Sequence, residues 1–228
     1  MVRNPERRTA LVDAAIEVLA QDGARGLTFR AVDAAAGVPK GTASNYFANR
    51  DDLLGQVTGQ IHQRIAPDPD EVTAVMAAPP SRALVAELMR WINRRVTENR
   101  IGYLAMLELR LEATRRPELR EELSRVIRAT LDDDIRFHLE SGLPGDRTAV
   151  TLIYLAMTGL MLEQLTLPGV VPVEETDGLI SALVDRAVGP EGGRPTGDPD
   201  PVGGTDPTGG PDPTGGPDPM GGADPVAD

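Results

Sequence analysis

Small or polar residues follow Lys40, the only lysine in the chain, over a segment that ends at Tyr46. They are Gly41, Thr42, Ser44 and Asn45. A lysine ammonium group can bind a phosphate oxygen, and Asn and Ser can both donate and accept hydrogen bonds at base edges in the DNA major groove. The segment therefore predicts a short helix over residues 40–46 whose polar side can contact double-stranded DNA, while Ala43, Tyr46 and Phe47 face a core.

The residues before Lys40 predict another short helix and a tight turn. Thr28 precedes apolar residues at positions 29, 32 and 36, so its hydroxyl can cap a helix N-terminus. Gly37 can adopt the positive φ that ends the helix, Val38 returns to the core, and Pro39 suits the next first turn. This is the layout of a helix-turn-helix DNA reader, although the periodicity also fits an ordinary three-helix core with solvated helix ends.

Residues 8–54 together resemble the DNA-binding domain of the TetR (tetracycline repressor) family of transcriptional regulators. The resemblance consists of motifs in a fixed order: an amphipathic LVDAAIEVLAQDG, then GLTFR, AAAGVPKGTASNYF and NRDDLL. It implies an all-α fold, in which an N-terminal three-helix reader precedes a helical domain for ligand binding and dimerisation.

The resemblance also assigns roles to residues of the reader. It places Thr28, Lys40, Tyr46 and Arg50 at the phosphate backbone, and it places Thr42, Ser44 and Asn45 at or near base edges. The sequence departs from the common family pattern at Pro39, where serine is usual, and at Ala43 and Ser44, where a leucine and an aromatic residue are usual. Asn45 stands where histidine is common, so the operator sequence does not transfer from other members.

The charge of the chain is unevenly distributed along its length. The formal net charge is −12, which by itself disfavours binding to phosphate. Residues 1–50 carry +2, however, whereas residues 51–188 carry −7 and residues 189–228 carry another −7. The N-terminal arginines, Arg3, Arg7 and Arg8, are expected to reach the DNA backbone or minor groove. We expect modest nonspecific affinity that falls with salt.

Several other functional classes find little support in the sequence. The chain has no cysteine, two histidines and no phosphate-binding glycine loop, so we predict no metal site, no cofactor and no enzyme activity. The acidic residues at 132–134 are expected to fan out over a solvated helix face, with His138 at the surface or hydrogen bonded. We find no apolar run of membrane-spanning length and no signal peptide, and expect a cytoplasmic, bacterial protein.

The rest of the chain predicts helices and no strand. We predict helices over 51–65, 81–96, 101–115, 117–141, 147–167 and 176–188, with a polar loop over 66–80. The predicted domains are residues 1–50, the reader, and residues 51–188, the helical ligand-binding and dimerisation domain.

The last two predicted helices carry an apolar and small-residue pattern that suits a helix interface. Small residues allow close helix approach, and the resemblance implies a homodimer formed through these helices. The predicted interface comprises Leu152, Ala156, Gly159, Glu163, Leu179, Ile180, Leu183, Val184 and Ala187. The alternative is that both faces pack within one subunit.

Aromatic and methionine side chains of the second domain are candidates for lining a small-molecule pocket. At helical spacing such residues also form ordinary cores. Glu108 lies in an apolar stretch, so facing inward it needs an arginine or a ligand cation as partner. The candidate residues are Trp91, Tyr103, Met106, Glu108, Phe137, Tyr154, Met157 and Met161.

Residues 189–228 form a tail rich in glycine, proline and aspartate, with a six-residue repeat from Gly203 onward. We predict disorder there, because the tail has too few apolar side chains to form a core. It serves as a solubilising appendage or as an acidic competitor of DNA. For the whole chain we predict a homodimeric repressor that a small, largely apolar ligand releases from its operator; the alternative is a ligand-independent architectural or adaptor protein that uses the same DNA domain.

Overall fold

A computed structural model describes residues 4–189, and the secondary-structure elements of this part of the chain are all helices, as predicted. It contains ten helices: α1 Pro5–Gly26, α2 Phe29–Ala35, α3 Ala43–Tyr46, α4 Arg50–Ile65, α5 Pro69–Val75, α6 Arg82–Glu98, α7 Arg100–Ala113, α8 Pro117–Glu140, α9 Arg147–Thr166 and α10 Val173–Val188. The predicted disorder of the tail concerns residues that lie almost wholly outside this range.

Side-chain caps fix where several helices begin. The Thr28 hydroxyl accepts a hydrogen bond from the Ala31 amide at 3.1 Å, and the Ser81 hydroxyl accepts one from the Leu84 amide at the same distance. Asn49 caps α4 by accepting from the Asp52 amide at 2.8 Å, while the Asp52 carboxylate accepts from the Ala48 amide at 2.8 Å. This reciprocal pair satisfies amides that the helix itself leaves free, and it fixes the path from α3 into α4.

A first core cluster joins the reader to the following domain. It contains buried side chains of α1, α2, α3 and α4, such as Leu11, Val32 and Phe47, together with Leu109 of α7 and Leu123 of α8. Residues from both sides of the predicted boundary at residue 50 therefore share one core. The boundary itself stays a prediction.

A second core cluster lies among α6, α9 and α10. Val85 of α6, Ile153 and Met157 of α9, and Ile180 and Val184 of α10 are all buried there. This cluster positions the helices whose other faces line the cavities described below.

Two predicted elements differ in extent from the observed ones. The predicted loop over 66–80 contains α5, because Asp68 caps it, Pro69 fits its first position, and Asp70 and Glu71 suit its first turn. The predicted helix over 40–46 begins only at Ala43. Gly41 has φ +92°, which breaks the helical path before that residue.

Helix α9 is long and apolar enough, by length and composition alone, to cross a membrane. The prediction that no apolar stretch reaches this length is therefore wrong. Buried core helices pass the same test, and α9 supplies Ile153 and Met157 to the second core cluster.

Candidate nucleic-acid interface and core cavities

The backbone leading into α3 is held by Asp33, a buried residue of α2. One carboxylate oxygen accepts a hydrogen bond from the Gly41 amide and the other accepts one from the Ala43 amide, each at 2.7 Å. These charge-assisted bonds satisfy two amides at the start of the helix. They fix α3 relative to α2 where Pro39 offers no capping hydroxyl.

Sequence reasoning missed Asp33. An acidic residue within the apolar pattern of α2 was the available signal, because a carboxylate buried there requires donors.

Several candidate DNA-contacting residues lie on the exposed side of this turn. Lys40, Ser44 and Asn45 are exposed, whereas Gly41 and Thr42 are partly buried. The Thr42 hydroxyl donates to the Pro39 carbonyl at 2.5 Å, and the Ser44 hydroxyl donates to the Gly41 carbonyl at 2.8 Å. Among the described residues, Lys40 and Asn45 have no side-chain partner, so both remain available to an external group.

The opposite side of α3 packs inward. Ala43 and Phe47 are buried, as predicted, and the Phe47 ring stacks on Phe29 with 6.4 Å between centroids. Tyr46 is partly buried. One face of α3 is therefore packed against the core, and the other face is exposed.

Two arginines predicted to face DNA are engaged within the protein. Arg8 donates to the Tyr46 carbonyl at 3.1 Å and to the Gln56 side chain at 2.6 Å, and its guanidinium lies 6.0 Å from the Tyr46 ring centroid. Its guanidinium is therefore bound within the protein and is not free to reach the DNA backbone or minor groove. Arg7 is exposed in α1, and Arg3 lies outside the described residues.

The Arg50 guanidinium contacts both α1 and α7. It donates a short hydrogen bond to the Ala24 carbonyl, and it lies 3.4 Å from the Glu112 carboxylate of α7. These contacts engage the guanidinium within the protein, and its role at phosphate stays a prediction. Thr28 is exposed, although its hydroxyl also caps α2.

Glu108 lies at the same junction. Its carboxylate accepts a hydrogen bond from the Ala24 amide at 3.2 Å, next to Gly23, whose φ of +70° bends the end of α1. Of the eight predicted ligand-binding residues, Glu108 lines neither cavity described below. Its partner is a backbone amide rather than an arginine or a ligand.

Two adjacent cavities lie among the helices of the second domain. The larger has a volume of about 580 Å³, and Trp91, Phe137 and Met157 are on its wall. The smaller has a volume of about 380 Å³, with Tyr103 and Met106 on its wall. Other residues border both cavities: Pro67, Ile92, Asp134, Tyr154, Thr158 and Met161. Seven of the eight candidate ligand-binding residues thus meet around one continuous region of the core.

The polar groups at the cavities differ in how they are satisfied. His138 is buried and lies 3.0 Å from the Pro144 carbonyl, while burial lowers the pKa of its imidazole below the ordinary value. A neutral ring that donates to this carbonyl explains both observations. Burial raises the pKa of the Tyr103 phenol, so this hydroxyl also stays neutral.

The acidic run on α8 is not a uniform solvated face. Asp132 pairs with Arg147 at 2.7 Å and Asp133 with Arg136, but Asp134 borders both cavities. Burial and the neighbouring Asp133 raise the pKa of Asp134. Within the described chain, no group of three or more His, Cys, Asp or Glu residues could hold a metal ion.

An exposed apolar strip runs along α9. Leu152 and Leu155 are 50% and 58% exposed, and Ala156, Gly159 and Leu162 continue the strip one and two turns later. Glu163 is partly buried, and Leu179 of α10 is 47% exposed. A continuous exposed apolar surface is typical of a protein interface.

The predicted interface residues of α10 are less accessible. Ile180 and Val184 are each only 1% exposed and belong to the protomer's own core, against Val85 and Ile153. They are therefore unavailable to a partner, and their assignment to the interface is wrong. Leu183 and Ala187 are partly buried against the same cluster.

Two family profiles match the chain over most of its described length. Residues 11–57 match the profile of bacterial regulatory proteins of the tetR family, and residues 80–190 match that of the tetracyclin repressor-like C-terminal domain. No curated protein sequence matches the chain significantly.

Solved structures share the fold over nearly their whole length. A TetR-family member from Streptomyces coelicolor is 28% identical, with a TM-score of 0.61, and the match covers 81% of this chain and 99% of that chain. The multidrug binding protein EbrR in complex with imidazole is also 28% identical, with a TM-score of 0.61 over 82% of this chain and 97% of that chain. The EbrR complex with ethidium has a TM-score of 0.59 at the same identity, over 80% and 99% of the two chains.

Proposed function

Because this chain belongs to the tetR family of bacterial regulatory proteins, we propose that it is a dimeric repressor that leaves its operator when a small molecule enters its core. Family membership makes it a DNA-binding transcriptional regulator and not an enzyme. We propose four further properties: repression, dimer formation, effector binding and action in the cytoplasm. The carrying observation is the free polar side of the turn and of α3, where Lys40 and Asn45 lie exposed on a backbone fixed by Asp33.

The residues of the reader that we propose to contact DNA differ in their chemistry. Lys40 is a point charge suited to a phosphate oxygen, whereas the Asn45 amide can pair with the donor and acceptor of an adenine edge. The other residues on this side of the turn are small, namely Gly41, Thr42 and Ser44. Thr28 and Tyr46 are proposed at the backbone. Asn45 therefore supplies sequence preference and Lys40 supplies general affinity.

The exposed strip on α9 supports a homodimer. Leu152, Leu155 and Gly159 lie on one side of the helix, and the space around Gly159 is open. A second copy can cover this strip together with Leu179 of α10. A twofold pair of readers then contacts two half-sites about one helical turn of DNA apart.

The two cavities support a ligand response over the ligand-independent alternative. A cavity of about 580 Å³ is within the size range of small-molecule sites. The relative EbrR is described as a multidrug binding protein and is known in complexes with imidazole, proflavin and ethidium. We therefore expect a small, largely apolar effector.

Helix α7 connects the cavities to the reader. Its Met106 and Arg110 line the smaller cavity, while Glu108 binds the Ala24 amide and Glu112 lies beside Arg50. A ligand that displaces α7 changes the position of the reader through these contacts. Repression is relieved if the ligand prefers a dimer in which the two readers no longer match successive major grooves.

Selection of bound duplexes from a random DNA pool tests the reader. The wild-type protein is expected to enrich a palindrome that competitor DNA does not displace. Asn45→Ala should relax the selected sequence, whereas Lys40→Ala should weaken all duplexes alike and reduce the salt slope by about one. Arg125→Ala, a change at an exposed cation of α8, serves as the control. Equal losses on operator and random DNA for both reader variants would contradict the division of roles.

A further inference from the structure

The larger cavity has an almost entirely apolar wall. Leu88, Ile153 and Met157 are typical of its lining, and Trp91, Phe137 and Tyr154 add aromatic surface. Asp134 is the only acidic or basic residue on this wall apart from His138, whose pKa burial lowers below its ordinary value against the opposing effect of the hydrogen bond to Pro144. The cavity therefore presents one negative charge and no positive charge.

Asp134 also has no cationic partner among the described residues, unlike the two acidic residues before it. Asp132 and Asp133 are compensated by Arg147 and Arg136. Asp134 is an exposed residue of α8, yet partial burial of its carboxylate and the neighbouring Asp133 raise its pKa. It thus lacks the counter-charge that would stabilise its ionised form.

The arginines of the neighbouring cavity are already engaged. Arg95 binds the Glu71 carboxylate at 2.7 Å and the Ala66 carbonyl at 2.8 Å. Arg110 donates to the Tyr154 hydroxyl at 3.3 Å. Neither forms an ion pair with Asp134, so neither arginine neutralises its carboxylate.

We propose that the larger cavity binds an organic monocation with an apolar, aromatic body, and that Asp134 binds its positive charge. The inference rests on the proposed ligand response and narrows it to one ligand class. Such a ligand is stabilised by the hydrophobic effect and by attraction between its cation and the ring faces of Trp91, Phe137 and Tyr154. Removing the cation from water is offset by pairing with a carboxylate that has no other partner.

A set of three probes that differ only in charge tests this inference. Each carries a dansyl sulfonamide on an ethylene chain, which ends in a trimethylammonium, a tert-butyl or a carboxylate group. Dansyl fluorescence reports binding to the full-length protein without DNA. The wild-type protein is expected to bind the cation roughly tenfold more tightly than the neutral isostere, as one ion pair in a partly buried site predicts, and the anion least.

Two variants assign the preference to one residue. Asp134→Asn should remove the preference for the cation and leave the neutral probe's affinity unchanged, because the shape of the side chain is kept. Asp132→Asn, on the same helix but away from the cavity wall, should leave all three affinities unchanged. Equal binding of the cation and neutral isostere by the wild-type protein would overturn the inference. So would binding of none of the probes, or tightest binding of the anion, which would point to Arg95 and Arg110.

Operator binding in the presence of each probe separates this inference from the proposed function. A cation that binds through Asp134 without changing operator affinity supports the site and contradicts the release mechanism. A neutral probe that releases the operator while the cation does not bind supports a ligand response and overturns the monocation site.

Discussion

At α3 the backbone is held by a side chain from the preceding helix, since both carboxylate oxygens of Asp33 accept hydrogen bonds from amides of the turn. Pro39 stands where the family usually has a capping serine, and it has no hydroxyl to offer. The cap is thus supplied by α2 and not by the turn itself. This arrangement makes the position of the DNA-contacting surface depend on a residue that is itself buried.

Asp33→Ala is therefore expected to weaken operator binding while the rest of the fold stays intact. Loss of a helix cap costs about 1–2 kcal/mol, which corresponds to roughly a five- to thirtyfold loss in binding if α3 must be re-ordered on DNA. Anisotropy with the selected operator measures the loss. Circular dichroism should show unchanged helix content, because α3 is only four residues long.

Restoring a hydroxyl at position 39 provides the matching rescue. In the Asp33→Ala protein, a second change, Pro39→Ser, offers a new acceptor to the amides at the start of α3 and should recover part of the affinity. Pro39→Ser alone should change binding little, since Asp33 already satisfies these amides. An affinity that Asp33→Ala leaves intact, or that Pro39→Ser fails to improve in that background, would contradict the capping role.

Residue-level prediction succeeded where the interaction is local in sequence. Thr28 caps a helix that begins at the next residue, and Ala43 and Phe47 are buried by the periodicity of their own segment. The contacts of Arg50 and Glu108 were not predicted, because their partners, Glu112 and Ala24, are distant in the chain. Only the packing of α1 and α4 against α7 brings these groups together.

At the scale of elements, α7 presents two faces with different chemistry. One face lines the smaller cavity with Tyr103 and Met106. The other places Glu112 within 2.6 Å of Arg116 and 3.4 Å of Arg50, while Arg116 also pairs with Asp51 of α4. This cluster fastens the start of α4 to α7 and α8.

The Glu112 cluster predicts a pH-dependent contribution to stability. The hydrogen bond from Arg116 and the nearby arginines lower the pKa of Glu112 below its ordinary value of 4.5, against the opposing effect of burial. Below this ordinary value the unfolded chain takes up the proton first, so the stabilisation is complete above about pH 4.5 and is lost as pH falls through the folded-state pKa.

Glu112→Gln should therefore lower the free energy of unfolding near pH 7 by about 1.5–3 kcal/mol, the range for a hydrogen bond to a charged group. The difference from the wild-type protein should shrink as the pH falls below 4.5. Urea unfolding at a series of pH values measures it, with Glu98→Gln, at an exposed position of α6, as the control. A difference that stays constant with pH would show that the charge of Glu112 does not stabilise the junction.

Element-level prediction was accurate where a strong stop or start lies in the sequence. Ser81, Pro117 and Asp146 precede or open helices close to the predicted positions. Helix α5 was missed because its prolines and acidic residues are equally typical of a loop; here Asp68 and Pro69 start the helix instead. α3 was predicted too long because the hydrogen bonds of Asp33 to the turn cannot be deduced from spacing.

For the whole molecule, the distribution of charge and apolar surface favours the proposed dimer on DNA. The reader region carries +2, whereas the remainder is strongly acidic, so phosphate is attracted to one end only. The apolar strip of α9 favours the dimer, because an isolated protomer would expose Leu152, Leu155 and Leu162 to water. The acidic tail as a competitor of DNA remains a prediction from sequence, because residues 190–228 lie outside the described range.

Leu155→Glu should convert the dimer into a monomer. Leu155 is 58% exposed in the protomer, so a glutamate there should be tolerated in the monomer, whereas an interface would bury its charge without a partner. Light scattering should report a mass near 24.3 kDa for the variant and twice that mass for the wild-type protein. Leu111→Glu, on α7 with 49% exposure, is the matched control and should stay dimeric.

The same variant links the dimer to DNA recognition. A monomer keeps one intact reader, so Leu155→Glu should bind an isolated half-site as well as the wild-type protein does. It should lose affinity for the full palindrome by at least about tenfold, because the second reader is no longer delivered at high effective concentration. A Leu155→Glu protein that remains dimeric would place the interface elsewhere. A monomer that keeps full affinity for the palindrome would show that each reader binds independently.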